Sequence, residues 1–343
     1  MYPPSFVPPG PVMQKILVTG GAGYVGHVLV PQLLADGREV VVYDTLWFGN
    51  RLPQHPKLRV VQGDLRDHAR FARAVAGCDA VINLACISND TSFALDERLS
   101  TSINRDAFPG ILEACRAARI KRFINASTSS VYGVSDAPEV TEDHPKVPLT
   151  LYNRFKWECE QMLAAFADPG FTWVTIRPAT VCGYSPRCRL DLSVNILTNH
   201  AVNKGKITVF GGAQKRPNLH IQDMVEAYRL LLALPAEKID RRTYNCGFQN
   251  QSIAEIAGIV KRVVEREFPA KAPIAIETTA SDDNRSYHIN SEKIRRELGF
   301  QPKFSIEDAV RDLCAAFRDG RLPNSFDDDA YYNVRTLKAL KVA

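Results

Sequence analysis

Tyr152 and Lys156 are the pair whose types and spacing point most directly to proton transfer. In Tyr152-Asn-Arg-Phe-Lys156 they stand four apart, so on a helix they share a face and direct a phenol and an ammonium into one cleft. A phenol of pKa about 10 is a poor base at neutral pH. A neighbouring ammonium, together with an oxidised nicotinamide, favours the phenolate and brings that pKa toward a useful range. The pattern is permissive, and its other reading is a surface Tyr and Lys on an amphipathic helix. Upstream, Phe123-Ile-Asn-Ala-Ser-Thr-Ser-Ser-Val-Tyr-Gly133 reads as an apolar strand ending in a cluster of hydroxyls. At such a strand end Thr128 is placed to hydrogen-bond a reacting oxygen. The alternative there is a Ser-rich turn that caps the strand.

A second constellation concerns phosphate. Lys15-Ile-Leu-Val-Thr-Gly-Gly-Ala-Gly-Tyr-Val-Gly26 reads as a short apolar strand that breaks into Gly20-x-x-Gly23-x-x-Gly26 and then into a helix, Tyr24 to about Ala35. In a dinucleotide-binding βαβ unit the first glycine permits the tight turn and the second lets the backbone approach a pyrophosphate. The third lets helix and strand pack closely, and the helix N-terminus supplies unpaired N–H groups and a positive dipole end. A second strand, Glu39–Tyr43, runs into Asp44, close to the spacing of an acid that grips an adenosine ribose. Glycine turn, ribose acid, hydroxyl cluster and Tyr-x-x-x-Lys occur together and in that order.

The elements that must position these residues alternate. Short, continuous Val/Ile-rich runs at Lys15–Thr19, Glu39–Tyr43, Leu58–Gln62, Ala80–Leu84, Arg122–Ala126 and Trp173–Arg177 suit a parallel sheet buried on both faces. Helical patterns at Tyr24–Ala35, His68–Val75, Ser102–Ala118 and Tyr152–Ala165 separate them. The predicted fold is α/β: a Rossmann-type doubly wound parallel sheet, with ligands at the carboxyl ends of its strands. After about Tyr184 the rhythm changes to a smaller, interwoven α+β lobe. Helices are expected there at Asp191–Asn203, Asp223–Leu234, Ile253–Phe268, Ser291–Leu298 and Ile306–Asp319, with strands at Lys206–Phe210 and Ile274–Glu277. The expected division is a disordered Pro-rich lead-in at 1–13 and a dinucleotide-binding domain at 14–184, with 218–248 contributing to it. The substrate lobe takes 185–217 and 249–322. The remainder, 323–343, with its Asp327-Asp-Asp run, reads as an exposed extension.

Bulk properties exclude several classes. A chain of 343 residues has ample length for a core. No window approaches the ~18–20 apolar residues of a membrane span, and the first dozen residues lack the basic and apolar regions of a signal peptide. The net charge of +5 is modest and scattered, which disfavours nucleic-acid binding while leaving room for an anionic substrate. Eight cysteines stand without a CxxC pair or a Cys/His ligand cluster. Reduced, buried thiols in a cytoplasmic protein, and no metal, are the expectation.

With these residues in place the chain resembles the extended short-chain dehydrogenase/reductase family, and within it the NAD-dependent nucleotide-sugar epimerases and dehydratases. The resemblance runs from Lys15 to about Phe317. Besides the motifs above it rests on Gly63-Asp-Leu65, Asn83-Leu-Ala-Cys86, Asn104, Arg177-Pro-Ala-Thr180, Arg216-Pro-Asn-Leu-His-Ile-Gln-Asp223, Tyr244-Asn-Cys-Gly247 and Asp283-Asn-Arg285. It implies NAD as cofactor, with Gly20, Gly23, Tyr24 and Val25 at the pyrophosphate and Asp44 at the adenosine ribose. Asp64 and Leu65 would flank the adenine, Leu84, Ala85 and Cys86 would line the cofactor channel, and Asn104 would join the cofactor site. Tyr152 would be the acid/base, Lys156 its modulator and ribose ligand, and Thr128 the hydroxyl partner. Thr180, Arg189, Arg216 and Arg285 would meet a nucleoside-diphosphate sugar, since a guanidinium fork suits phosphate oxygens. The family also implies a homodimer built on the helices at Ser102–Ala118 and Tyr152–Ala165, where Ile111, Leu112, Trp157 and Met162 serve either the interface or the core.

Departures from the family pattern narrow the reaction. Its dehydratases carry Asp-Glu where Ser129 and Ser130 stand, and its decarboxylases usually place Glu at the position of Ser130. Without those carboxylates epimerisation, of the 4-epimerase type, gains ground over dehydration. Asp44 disfavours the 2′-phosphate of NADP, and with it a simple keto-sugar reductase; a non-catalytic NAD-binding regulator is the remaining alternative. Asn83, Thr180 and Cys182 also differ from the family's common residues. Arg187 and Arg189, in the charged loop Ser185-Pro-Arg-Cys-Arg-Leu-Asp191, either bind a phosphate or a sugar carboxylate or simply face solvent.

Overall fold

The computed structural model describes residues 13–166, 168–281 and 286–341. The first lobe carries β1 (Lys15–Thr19), β2 (Glu39–Asp44), β3 (Leu58–Gln62), β4 (Ala80–Asn83), β5 (Arg122–Ala126) and β6 (Thr172–Pro178). The second half carries β7 (Thr180–Cys182), β8 (Lys206–Phe210), β9 (Lys215–His220), β10 (Arg242–Cys246), β11 (Gln249–Ser252) and β12 (Ala275–Thr279). Seven strands form one sheet in the order β10-β6-β5-β4-β1-β2-β3, every pair parallel. The order reverses beside β1, between β4 and β2, and in a doubly wound sheet the crevice at that switch point is where ligands bind.

The central strands are apolar without alternation because both faces are covered. Helices Gly26–Ala35 and Ile221–Ala233 bury Leu29, Leu33, Val225 and Leu231 against one face. Helices His68–Val75, Phe108–Ala117 and Leu151–Ala165 bury Phe71, Ile111 and Leu163 against the other. Ile111 and Leu112 thus belong to the core, and Met162 and Trp157 pack partly buried against it. Side-chain caps set the starts. Asp67 accepts from the Arg70 N–H and Thr150 from the Asn153 N–H, each satisfying an otherwise unpaired amide.

The expected helix Ser102–Ala118 is divided. Residues Ser102–Asp106 form a wide π-type turn before the α-helix Phe108–Ala117. Pro109 has no N–H to give back to the preceding turn, and the widened turn carries Asn104, used below. In the second lobe, helices Ser193–Lys204, Ile253–Glu267 and Ile306–Arg318 pack around Leu197, Val260 and Val310, flanked by the parallel pair β8–β12. Ser252/Glu255 and Ser305/Asp308 form reciprocal capping boxes at two of these helices. A small sheet, β11-β9-β7, lies at the crossing between the lobes, while the stretch from Ile221 to Cys246 returns to the first lobe as a helix and the strand beside β6.

The reading of 323–343 as exposed is corrected. Tyr331, Tyr332, Asn333 and Leu337 are buried, and a short helix, Asn333–Ala339, packs back onto the body of the protein. Aromatic and aliphatic residues beyond the acidic run supply that packing. Asp328 is a cap that accepts from the Ala330 N–H. The lead-in at 1–12 lies outside the described residues; Met13 is buried in the first lobe.

Candidate active site

The glycine turn is built as its spacing requires. Gly20 has φ +66°, and a Cβ there would sit 2.8 Å from the Ala85 backbone. Gly26 begins its helix against the backbone of Gly21, where a Cβ has no room. Asp44, at the end of β2, accepts from the Ala22 N–H at 3.0 Å and the Leu46 N–H at 2.8 Å. Burial raises its carboxyl above the usual range, against those two hydrogen bonds. It therefore pins the turn as well as facing the ligand space. Asp64 is paired with Arg66 at 2.7 Å, and the Tyr43 hydroxyl donates to the Asp64 carbonyl.

A polar ladder that the sequence reading had not identified crosses the carboxyl ends of β1, β4 and β5. The Thr19 hydroxyl donates to Asn83 at 2.8 Å, and the Asn83 amide donates to Asn125 at 3.2 Å. Thr19 Oγ1 also accepts from the Leu84 and Ala85 N–H groups, which fixes the turn running to Cys86. The available signal was a polar residue at the same register in three adjacent strands. Asn104 acts behind this turn, accepting from the Ile87 N–H at 2.8 Å and donating to the Ile87 carbonyl at 2.9 Å.

At the end of β5, Thr128 caps a short turn by accepting from the Ser130 N–H. Ser127 beside it donates to buried Glu160, which pairs with Arg177 of β6 at 2.7 Å. Helix Leu151–Ala165 brings Tyr152 and Lys156 to the same cleft. The Lys156 ammonium donates to the Ala126 carbonyl at 2.7 Å. Burial, then the Cys86 thiol, pushes the Tyr152 phenol well above its ordinary value, and the positive charge of Arg189 opposes them.

These groups border one cavity of ≈ 390 Å³. The glycine turn, Asp44, Asp64, Leu65 and the Leu84–Cys86 turn line it, as do Thr128, Tyr152, Lys156, Thr180 and Arg189. Asn104 is not on its wall, and both of its side-chain amide atoms bond Ile87 behind it. Arg216 also stands apart. It lies on β9 opposite Gln251, donates to the Lys215 carbonyl and covers the Tyr287 ring. Arg285 falls outside the described residues.

The loop arginines are buried, not solvated. Arg189 pairs with Asp191 at 2.9 Å and donates to Ser88 at 3.3 Å. Arg187 lies 4.0 Å over the Phe48 ring and donates to Asn333 at 2.5 Å. Burial and the like charge of Arg189 push its guanidinium down to about 9. Cavity residues that the sequence reading missed include Phe48, Ser88, Asn153, Asn333 and Leu337. Asn153 is 1 % exposed, and neither of its amide atoms has a hydrogen-bond partner among the described residues. Its place three residues before Lys156, on the same helix face, was the signal for it.

The profile of the NAD dependent epimerase/dehydratase family matches residues 16–247. The chain is similar to the UDP-glucose 4-epimerase of Lactobacillus helveticus, 28% identical over 316 residues that span 86% of this chain and 94% of that protein. It is also similar to the structure of the Thermus thermophilus UDP-glucose 4-epimerase complex with NAD, at 25% identity and TM-score 0.77, with 89% of this chain and 99% of that one covered. A third likeness is to DesIV, a dTDP-glucose 4,6-dehydratase from Streptomyces venezuelae with NAD and TYD bound, at 26% identity and TM-score 0.78 over 90% and 98% of the two chains.

Proposed function

This chain belongs to the NAD dependent epimerase/dehydratase family, and we propose that within it the protein is a nucleotide-sugar epimerase of the 4-epimerase type. The observation that carries the reading is the convergence of Thr128, Tyr152 and Lys156 on the cavity that the glycine turn and Asp44 also border. The residues present fit NAD: the turn closes tightly because Gly20 and Gly26 leave no Cβ to meet the Ala85 and Gly21 backbones, and Asp44 presents a carboxylate at the end of β2 beside it. Gly20, Gly23, Tyr24, Val25 and Asp44 are assigned to hold it, with Asp64, Leu65 and the Leu84–Cys86 turn around the adenine and the channel. When bound, NAD supplies the acceptor, and later the donor, of the hydride on the carbon being inverted.

The protein's own groups handle the proton. Tyr152 takes it from a sugar hydroxyl as the carbonyl forms and returns it to the same oxygen once the keto-sugar has turned to present its other face for reduction. Thr128 orients that oxygen by hydrogen bonding. Because burial holds the phenol protonated in the cofactor-free chain, its base form depends on nearby positive charge. Arg189 already acts in that sense, and Lys156 provides an ammonium on the same helix face. Thr180 and Arg189 are assigned to the sugar nucleotide. Arg216, on β9 over the Tyr287 ring and outside that cavity's wall, is kept as a proposed contact to the nucleoside diphosphate.

A second reading, 4,6-dehydration, is favoured by one observation. Asp90 borders the cavity, accepts from the Thr150 hydroxyl at 2.7 Å and raises Tyr152 by its charge, so a carboxylate is present although Ser129 and Ser130 occupy the usual positions. Incubating the protein with a panel of nucleotide sugars, without added reductant, and recording proton NMR spectra decides between them. An epimer supports the first reading, and accumulation of a 4-keto-6-deoxy sugar replaces it with the second. A homodimer and a reducing, cytoplasmic setting complete the proposal. The family supports the dimer, which sedimentation velocity tests, and the eight unpaired cysteines are compatible with the setting. Among the described residues no helix is long and apolar enough to cross a membrane.

A further inference from the structure

The C-terminal stretch has two separate apolar anchors, one on each lobe. Tyr331 and Tyr332 pack with Cys188, Leu190, Leu313 and Leu322 of the second lobe, and the Leu190 N–H donates to the Tyr331 carbonyl at 3.0 Å. Leu337, 2 % exposed, packs with Ile87 and Ile103 of the first lobe, against Trp47 and Phe48. Between the anchors Asn333, 4 % exposed, stands on the cavity wall with every polar side-chain atom and its own N–H engaged. The backbone N–H donates to Asp191 at 3.1 Å, the amide Nδ2 donates to Ser88 at 2.9 Å, and Oδ1 accepts from Arg187.

We propose that residues 323–341 are a strap that walls the NAD cavity, and that Asn333 is a positioning residue in it, fixing Arg187 and Arg189 so that cofactor retention depends on the strap being docked. Three observations carry this. The cavity wall includes Asn333 and Leu337 themselves. Arg187 stacks on Phe48, in the loop that follows Asp44, which puts it on the cofactor's side of the cavity. Lastly, Asn333 is neutral. A buried guanidinium that lacks a hydrogen-bonded carboxylate is costly unless something else satisfies it. The Asn333 oxygen fixes the direction of the Arg187 fork without cancelling its charge, and Arg187 Nε is left with no protein partner among the described residues. The charge remains available to an anionic ligand. Through Ser88 and Asp191 the same amide and its backbone also brace Arg189, the cation nearest Tyr152 in effect.

The test uses the full chain loaded with NAD and reads cofactor release directly, so it stands apart from the identity of the sugar. In Asn333→Ala the Arg187 fork loses its guide, and NAD should dissociate about tenfold faster, the size expected for one lost hydrogen bond to a charged group. In Asn333→Asp the buried cation gains a counter-charge. The cofactor-free protein should then melt at the wild-type temperature or above it, while NAD again leaves about tenfold faster. A merely structural role moves both readouts in the same direction. Lys338→Ala, on the exposed side of the strap, serves as the control and should release NAD at the wild-type rate. If Asn333→Ala fails to fold, Asn333→Asp decides alone. Release within about twofold of wild type from folded Asn333→Asp overturns the proposal.

Discussion

Replacing Glu160 by Gln is expected to be among the most destabilising single isosteric changes in this protein. The Glu160–Arg177 pair is 5 % and 3 % exposed and closes at 2.7 Å, with a second contact from the Arg177 Nε at 3.0 Å. The same cluster takes the Ser127 hydroxyl on Glu160, and Arg177 donates to the Tyr132 hydroxyl and the Glu142 carbonyl. Burial acts to lower the Arg177 guanidinium, and the hydrogen bond and charge of Glu160 outweigh it, leaving it above the usual value. Glutamine removes that charge and turns an N–H2 toward guanidinium donors. Breaking a buried pair from one side costs about 3–5 kcal/mol, a large share of the ~5–15 kcal/mol that holds a typical domain folded. Urea unfolding followed by far-UV circular dichroism, with the slope checked for constancy, measures it.

The reasoning contains an internal control. Removing both charges, as Glu160→Met with Arg177→Met, strands no ion. Its cost reduces to the hydrogen bonds lost by Ser127 and Tyr132, about 1 kcal/mol each, plus any misfit in packing. The double variant should therefore be more stable than the sum of the two single ones predicts, by at least about 2 kcal/mol. A Glu160→Gln cost below about 1 kcal/mol, the value of an exposed pair, would refute the argument that this charge is stranded in a dry interior.

Three further outcomes follow from the site. Tyr152→Phe removes the proposed proton acceptor and should lower kcat by about 10²–10⁴-fold while NAD remains bound, which equilibrium dialysis checks. In the cofactor-free protein the raised Tyr152 phenol should stay protonated through about pH 10. The ultraviolet tyrosinate difference between wild type and Tyr152→Phe should accordingly be flat below that pH, and a step near neutrality would contradict it. Gly26→Ala drives a Cβ into the Gly21 backbone and should cost about 1–3 kcal/mol of stability, together with a loss of NAD affinity measured by calorimetry.

What could be read in advance divides by the range of the interaction. Strands β1, β2, β4, β5 and β6 were legible because a strand covered on both faces is largely apolar without alternation, and the glycine turn because Gly20 and Gly26 occupy positions where a side chain has no space. Tyr152 and Lys156 were legible because four residues make one helical turn. β9 was not: Lys215-Arg-Pro-Asn-Leu-His220 has no strand pattern of its own and is set by its neighbours β7 and β11. The division of the helix expected at Ser102–Ala118 was missed because Asn104, in the widened turn, serves Ile87, a partner far from it in sequence. Arg187 and Arg189 show the division within one loop. The Arg189 partner, Asp191, lies two residues on and could have been guessed. The Arg187 partner, Asn333, lies 146 positions away, behind an acidic run that reads as a solvated tail and in fact caps a turn. A charged loop reads as surface until its counter-groups are known, and here the deciding group is a neutral amide delivered by the end of the chain. Charge pattern alone therefore left both arginines between a ligand site and solvent, while the apolar Tyr331, Tyr332 and Leu337, spaced to reach two different lobes, were the residues that required the tail to fold back over them.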